Sequence, residues 1–223
     1  MRVSEALESR RTCRAFLDTP VPRQTLEAIL RGAQRAPSGG NLQPWRVYVV
    51  QDPVRTRIVE AVRAKMADTP RGEGAEYHIY PPELTEPYRT RRFQVGEQMY
   101  AKLGIPREDK RARLTWFARN YEFFGAPTAM FFTMDRQMHE GQWSDLGMFL
   151  QSIALLAREH GLHTAFQEAW AVWTPTIVEI LGIPEQEMLF CGMGIGREDP
   201  EHPLADFRSE RAPLEELASF HGF

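Results

Sequence analysis

The sequence contains very little cysteine: only Cys13 and Cys191 occur among its 223 residues, and they lie far apart in the chain. This separation offers neither a disulfide framework nor the closely spaced ligands of a zinc site. Long hydrophobic runs are absent too. The most apolar segment, residues 146–157, is interrupted by Gln151 and Ser152 and is too short to span a bilayer. We therefore expect no metal centre and no membrane partner.

Neither sign of charge is in strong excess. The 27 Lys and Arg residues and the 30 Asp and Glu residues give a formal net charge of −3, which disfavours nucleic acid as the main partner. The first residues, Met1 to Glu5, carry no apolar stretch of the kind found in signal peptides. These observations predict a globular, cytoplasmic protein.

The usual signatures of nucleophilic, metal-assisted and acid–base catalysis are also missing. No G-x-S-x-G motif occurs, neither cysteine has a neighbouring histidine, and only His160 and His163 of the six histidines are close in sequence. The glycines of segment 192–196 follow G-x-G-x-G rather than G-x-G-x-x-G, which predicts close backbone packing in a strand and no dinucleotide loop. If the protein is an enzyme, a bound cofactor carries its chemistry.

The hydrophobic pattern predicts one α+β domain over residues 1–223, with no internal repeat and no linker. The widest apolar helix face is predicted over 143–160, where Gly161 provides a left-handed cap. Proline, glycine, tyrosine and charged residues dominate segment 68–93, which predicts a long functional loop. Further helices are predicted over residues 4–10, from Pro22, from Pro53, from Gln94 and over 107–124. Strands are predicted over residues 45–51, 126–134, 162–167 and 188–195.

A polar turn, APSGGNLQPW (36–45), leads into the first predicted strand. Its prolines fix φ, while its glycines allow positive φ and leave backbone N–H groups accessible. Ser38, Asn41 and Gln43 add uncharged donors and acceptors. The turn suits a large, flat ligand with polar edges; the alternative is an ordinary helix-to-strand connection in which Asn and Ser bond to their own backbone.

An arginine-rich turn lies about twenty residues upstream. Arg10, Arg11 and Arg14 fall within five residues, with the Thr12 hydroxyl between them. Guanidinium groups bind phosphate through two parallel hydrogen bonds, so this turn is a candidate anion site. The alternative is a basic turn that faces solvent.

The two turns occur in a familiar order. SRRTCRAF…APSGGNLQPWRVYVV resembles the start of the FMN-dependent nitroreductase family, whose pattern reads approximately RRSxRxF…APSxxNxQPW. Thr12 stands where the family usually has Ser, and Ala169 where Gly is frequent. Later segments are similar to the nitrobenzoate-reductase-like branch, so the resemblance covers nearly the whole chain. These segments are PYRTRRF (87–93), LGIPRED (103–109), NYEFFGAP (120–127), QWSDLG (142–147) and RAPL (211–214).

The resemblance implies a mixed β-sheet flanked by helices, in an intertwined homodimer with FMN at its interface. It implies that the arginine turn, with Arg211, holds the FMN phosphate and ring edge, and that the Pro-Ser-Gly turn of the other subunit contacts the isoalloxazine and ribityl groups. Backbone N–H groups near Glu168 and Ala169 would face flavin N5 and O4. The residues assigned to the cofactor are Arg10, Arg11, Thr12, Arg14, Pro37, Ser38, Gly39, Asn41, Gln142, Gln167, Glu168, Ala169 and Arg211.

The resemblance also implies a ping-pong reaction. NADH or NADPH would reduce FMN, and a nitroaromatic compound would then accept the hydride, giving nitroso and hydroxylamino products. Phe123, Phe124 and loop 68–93 are the predicted substrate wall. Arg89 is the candidate partner for a substrate carboxylate such as that of a nitrobenzoate, with Arg91 and Arg92 as further possibilities and a solvent-facing basic run as the alternative.

Two other functions remain open at this point. The same flavin site is compatible with reduction of quinones, enones or halogenated aromatics, because flavin sites accept many planar electron acceptors. A flavin-binding protein without turnover is the alternative from a different class. The sequence does not distinguish NADH from NADPH as the reductant.

Overall fold

The computed structural model describes all residues, 1–223, and contains four strands and eight helices. Three 3₁₀ segments, Gly39–Asn41, Arg119–Gly125 and Glu168–Val172, connect them. The strands are β1 Trp45–Val50, β2 Thr128–Asp135, β3 His163–Gln167 and β4 Glu187–Gly196. The helices are α1 Val3–Ser9, α2 Arg23–Ala33, α3 Val54–Met66, α4 Tyr88–Lys102, α5 Lys110–Ala118, α6 Glu140–Glu159, α7 Thr174–Leu181 and α8 Leu214–Leu217.

The four strands form one sheet in the order β1-β2-β4-β3, so β1 and β3 are its edges. Every pairing between these strands is antiparallel. The α+β class is therefore confirmed. Within one chain, however, the sheet is not mixed as predicted: parallel contacts are limited to single bridges, Thr12 to Thr164 and Gly74 to Trp173.

The sheet is covered by apolar layers on both faces. Successive residues of the central strand β2 point to opposite sides, so Phe131 joins one buried cluster while Met130 and Phe132 join the other. Helices α2 and α6 cover the second cluster, and α3, α7 and the 3₁₀ segments after α5 and β3 cover the first. This double burial explains why β2 reads as a continuous apolar run.

The predicted helix boundaries hold best where the apolar face is wide. Helix α6 ends next to Gly161, which takes φ +67° as its position predicts. The predicted loop 68–93 is shorter than expected, because Pro87 is accommodated directly before α4. The helix predicted over 107–124 is wrong at both ends, since Asp109 caps α5 through the Ala112 N–H and the helix stops at Ala118. No helix in the structure combines the length and the apolar character that crossing a membrane requires.

The glycines of β4 provide space for neighbouring groups, as their spacing predicts. A Cβ atom on Gly192 would lie 2.4 Å from the Trp170 ring, and one on Gly194 would lie 3.0 Å from the Phe123 carbonyl oxygen. Trp170 in turn stacks on Phe123 with ring centroids 4.4 Å apart. The bare backbone of β4 therefore lets the segment after β3, which carries Glu168 and Ala169, pack directly against the sheet.

We expect Gly192→Ala to destabilise the fold by about 1–3 kcal/mol, the usual cost of overpacking a core, because the added Cβ meets the ring of the fully buried Trp170. Urea denaturation measures the free energy of unfolding. Gly96→Ala is the matched control: it lies in α4 with nothing within 4 Å of the added Cβ, so it should be stabilising by about 0.5–1 kcal/mol. Equal effects of the two substitutions would contradict this account of β4.

Candidate functional site

A cavity of about 280 Å³ lies between the N-terminal arginine turn, helix α4 and the C-terminal segment. Val95 of α4 forms one side, and Phe207, Arg208, Ser209 and Arg211 form another; Glu8 is the one acidic residue in the wall. The structure thereby brings Arg211 to the arginine turn, as expected from the resemblance. It also adds Arg208, which sequence reasoning missed because a single arginine in an irregular tail carries no motif. The basic and hydroxyl residues in its wall are Arg10, Arg11, Thr12, Arg14, Arg208, Ser209 and Arg211.

Four of these guanidinium groups have no carboxylate partner. Arg10, Arg14, Arg208 and Arg211 form no ion pair within 4.0 Å; Arg208 donates to the Glu8 carbonyl oxygen, and Arg211 donates to its neighbours at 209 and 210. Burial lowers the pKa of Arg10, and the positive charges of Arg211 and Arg208 lower it further. Burial likewise lowers the pKa of Arg14. A concentration of uncompensated positive charge in a half-buried cavity is a site for an anion.

Arg11 behaves differently, which corrects its predicted role as a phosphate ligand. Its Nε donates to Glu198 Oε1 at 3.1 Å and its Nη2 donates to Glu198 Oε2, so its guanidinium fork is occupied. Both side chains are largely buried, at 18% and 9% exposure. His163 Nε2 lies 3.6 Å from the same carboxylate. Arg11 therefore anchors the arginine turn to the sheet, while its neighbours face the cavity.

The turn is fixed against edge strand β3. Thr12 bridges to Thr164, and the Cys13 N–H donates to the Thr164 carbonyl oxygen at 3.0 Å. Strand β3 ends at Gln167, and Glu168 and Ala169 begin the 3₁₀ segment that follows. Glu168 lies four residues after Thr164, about 13 Å at the rise of a strand. Glu168 is an exposed residue, yet partial burial of its carboxyl group raises its pKa through desolvation. The arginine cavity and the Glu168–Ala169 backbone thus lie along one edge of the sheet.

The side chains of Gln167, Phe123 and Phe124 lie inside the protein. Gln167 is 2% exposed and donates from Nε2 to the Asn120 carbonyl oxygen at 2.6 Å, so its amide holds segment 119–125. Phe123 and Phe124 are 0% and 3% exposed. Their backbone takes φ +52° and +53°, and both rings pack in the core cluster that contains Trp170. The prediction that these two rings form a substrate wall is therefore wrong.

The Pro-Ser-Gly turn lies near the start of α6. The Gly39 N–H donates to both carboxylate oxygens of the buried Asp145, at 3.1 and 3.2 Å, and Gln43 N–H donates to Ser38 Oγ at 3.0 Å. Ser38 therefore bonds to its own backbone, as the alternative interpretation of this turn has it. Asn41 takes φ +58° and is exposed, and its side chain makes no hydrogen bond.

Pro37 and Gln142 lie at this same end of the molecule. Pro37 is exposed beside Ser38. Gln142 caps α6, its Oε1 accepting from the His139 N–H at 3.3 Å, and it precedes Asp145 by one helical turn. Its side chain thus stabilises the helix end that supports the turn.

Helix α6 separates this turn from the arginine cavity. Asp145 holds Gly39 near its first turns, whereas Arg158 in its last turn donates to Ser9, next to Arg10. Thirteen residues at 1.5 Å each place these two helix positions about 20 Å apart. One chain therefore does not bring the two predicted halves of the cofactor site together.

Arg89 does not lie in the cavity wall. It forms an exposed ion pair with Glu86, with Nη2 2.8 Å from Oε1. This ion pair with its own segment disfavours the predicted contact between Arg89 and a substrate carboxylate. No group of three or more His, Cys, Asp or Glu side chains is arranged to hold a metal ion.

Comparison with known proteins gives a consistent result. The model of the nitroreductase family matches residues 7–197. The chain is 36% identical over 218 residues to a nitrobenzene nitroreductase of Ectopseudomonas oleovorans, covering 98% of this chain and 96% of the relative. It is 34% identical to a 4-nitrobenzoate reductase of Nocardioides sp., covering 96% and 87%.

A solved structure agrees with these sequence relatives. The FMN- and NADPH-dependent nitroreductase NfnB from Sphigopyxis sp. strain HMH superposes with a TM-score of 0.97 at 45% identity, covering 100% of both chains. Sequence and fold thus lead to one conclusion: this chain belongs to the nitroreductase family.

The buried imidazole behind the cavity predicts a pH dependence of stability. His163 is 12% exposed, and burial, with Arg158 and Arg11 nearby, lowers its pKa from 6.5 to about 3. Below pH 6.5 the unfolded chain binds a proton that the folded chain does not. Stability therefore falls as the pH falls from 7 to 5, by about 2 kcal/mol from this residue.

Urea denaturation of the native protein and of His163→Phe at pH 7 and pH 5 measures this effect. The variant should lose about 2 kcal/mol less than the native protein between the two pH values. His221→Gln, in the exposed C-terminal tail, is the control and should keep the native dependence. A His163→Phe variant with the native dependence would show that the imidazole is not kept neutral in the fold.

Proposed function

We propose that this chain is an FMN-dependent oxidoreductase that uses NAD(P)H to reduce nitroaromatic compounds to nitroso and hydroxylamino products. The observation that carries the proposal is the arginine cavity, where four guanidinium groups lack a carboxylate partner. Membership of the nitroreductase family supports it, as do the FMN and NADPH dependence of the similar NfnB and the nitroaromatic substrates in the names of two relatives.

The residues present fit FMN. A phosphate monoester carries up to two negative charges and three acceptor oxygens, which match the donors of Arg10, Arg14, Arg208 and Arg211. The hydroxyl of Thr12 adds a donor in the same wall. From this cavity the edge of the sheet leads to the backbone at Glu168 and Ala169, where N–H groups stabilise negative charge on a bound ring.

FMN bound by these residues would supply the hydride chemistry that couples oxidation of reduced nicotinamide to reduction of the nitro group. The overall first step is balanced by one proton, so nitroarene, NAD(P)H and H⁺ give nitrosoarene, NAD(P)⁺ and water. The chain contributes binding, orientation and charge stabilisation, which account for large rate effects when the reactants are held in the reactive geometry. Reduced nicotinamide is an intracellular reductant, which supports a cytoplasmic location.

The test is an anaerobic titration of the purified, FMN-loaded protein followed by visible absorption. NADH or NADPH should bleach the flavin bands, and 4-nitrobenzoate or nitrobenzene should restore them. Bleaching without recovery would indicate that the electron acceptors are quinones, enones or halogenated aromatics rather than nitroaromatics. An unbleached, FMN-loaded protein would favour a flavin-binding protein without turnover. A protein that does not bind FMN would overturn the proposal.

We expect Arg10→Gln to weaken FMN binding by about tenfold to a hundredfold, because it removes a charge-assisted contact worth about 1.5–3 kcal/mol. Fluorescence titration of the apoprotein with FMN measures the dissociation constant. Arg111→Gln is the matched control, since Arg111 is exposed on α5 outside the arginine cavity, and its FMN affinity should be native. If Arg10→Gln binds FMN with native affinity, Arg10 does not contribute to the cofactor site.

We further propose that a second copy of the chain completes each FMN site. The separation of about 20 Å along α6 supports this, because the Pro-Ser-Gly turn of one copy must then serve the arginine cavity of the other. Two surface features add support. Strand β1 is an unpaired sheet edge, and the C-terminal segment exposes Leu214, Leu217, Phe220 and Phe223, a pattern typical of chains that pair with a partner.

Mixing two defective variants tests this arrangement. Arg10→Gln impairs the cavity, and the double variant Ser38→Ala, Asn41→Gly impairs the turn; glycine keeps the positive φ of Asn41 without strain. In a mixed dimer with shared sites, one site combines both defects and the other has none. After refolding the mixture, about one site in four should bind FMN with native affinity. If each site is built within one chain, no native site will form.

A further inference from the structure

Two of the three neighbouring arginines of α4 are already neutralised. Arg89 pairs with Glu86, and Arg91 pairs with Glu216 of the C-terminal segment. Arg92 has no carboxylate within 4.0 Å and donates no hydrogen bond to the rest of the chain. It is therefore the only member of this basic run whose guanidinium keeps all its donors free.

Arg92 is nevertheless held in place. Its guanidinium carbon lies 4.0 Å from the centroid of the Tyr80 ring, the geometry of a cation–π contact. A stacked guanidinium is weakly hydrated and keeps its planar edge open, so its donors are oriented before a ligand arrives. Because Tyr80 is 52% exposed, the stacked pair is accessible from solvent.

Arg92 lies one helical turn from a residue of the arginine cavity. Val95, three residues after Arg92 and thus on the same side of α4, lines the cavity wall. Tyr80 is close enough to Arg14 for its hydroxyl to oppose the lowering of the Arg14 pKa.

The segment that carries Tyr80 also passes the ring end of the proposed site, because Tyr77 donates to the Phe190 carbonyl oxygen of β4 and its pKa is raised by burial and by the nearby Glu168. The segment between α3 and α4 therefore links the two ends of the proposed cofactor site, and Tyr80 holds Arg92 against it.

We propose that Arg92 binds the carboxylate of substrates such as nitrobenzoates and so determines a preference for carboxylated over neutral nitroaromatics. This inference rests on the proposed nitroreductase function and names its substrate class. The free fork of Arg92 matches the two oxygens of a carboxylate, and the tyrosine ring stacked on it holds the plane of the fork in one orientation. The flavin and the nitro group are not touched by this contact, so neutral nitroaromatics remain substrates.

The experiment compares 4-nitrobenzoate with 4-nitrobenzamide, a neutral compound of nearly the same shape, in the FMN-loaded enzyme. In the native protein kcat/KM should be higher for the acid. Arg92→Gln should lower kcat/KM for 4-nitrobenzoate about tenfold or more, mainly through KM, and leave the value for 4-nitrobenzamide within about twofold. Arg89→Gln, on the same helix, is the matched control and should change neither value.

A binding measurement makes the result independent of turnover. Benzoate and benzamide are titrated into the oxidised enzyme, and the change in the flavin absorption spectrum gives their dissociation constants. Arg92→Gln should weaken the binding of benzoate and leave that of benzamide unchanged. Arg92→Lys should bind benzoate more tightly than Arg92→Gln does, because lysine keeps the charge without the fork. Added salt should weaken the binding of benzoate to the native protein and have little effect on the binding of benzamide.

The outcomes separate this inference from the function on which it rests. If Arg92→Gln lowers kcat/KM equally for the acid and the amide, or lowers it for neither, the role of Arg92 is overturned while the nitroreductase function stays intact. Failure of the native enzyme to reduce both compounds would instead reject the proposed function. If Arg89→Gln loses the preference for the acid and Arg92→Gln keeps it, Arg89 makes the carboxylate contact and the inference about Arg92 is wrong.

Discussion

Uncompensated positive charge in the arginine cavity is the constraint that the rest of this account depends on. Arg10, Arg14, Arg208 and Arg211 converge in one cavity wall. The one carboxylate of that wall, Glu8, forms no ion pair with any of them, and their mutual repulsion adds to the cost of burying them. Natural folds pair buried charges unless a ligand does so. Glu198 meets this need for Arg11 alone, so the fold both holds the turn rigid and leaves the remaining charge for an anion.

The topology then decides where the rest of a cofactor lies. Edge strand β3 leads from the arginine turn to the backbone at Glu168 and Ala169, and the glycines of β4 allow that segment to pack closely. Helix α6 keeps the Pro-Ser-Gly turn at its opposite end. In the proposed site, one chain therefore supplies the phosphate end and the ring end, and the polar turn is available to another chain. If a second copy completes each site, as we propose, the oligomer is part of the chemistry.

The sequence predicted the elements with strong local signals: the four strands, the apolar face and glycine cap of α6, and the motifs of both turns. It did not predict the surroundings of side chains that tertiary contacts determine. Phe123 and Phe124 look like substrate-facing aromatics in NYEFFGAP, but a left-handed backbone at both positions turns them into the core. Arg11 and Arg14 look alike in RRTCR, and only the fold brings Glu198 to the first. Arg208 carries no motif, so only the folded tail reveals it.

The central claim is that the arginine cavity exists to bind a phosphate monoester. The most direct measurement compares the affinity of the apoprotein for FMN and for riboflavin, which differ only by that phosphate, at low and at high salt. The account predicts that FMN binds at least about a hundredfold more tightly at low salt and that added salt narrows the difference. Equal affinity for the two flavins would contradict the claim, because the four arginines would then contribute nothing to cofactor binding.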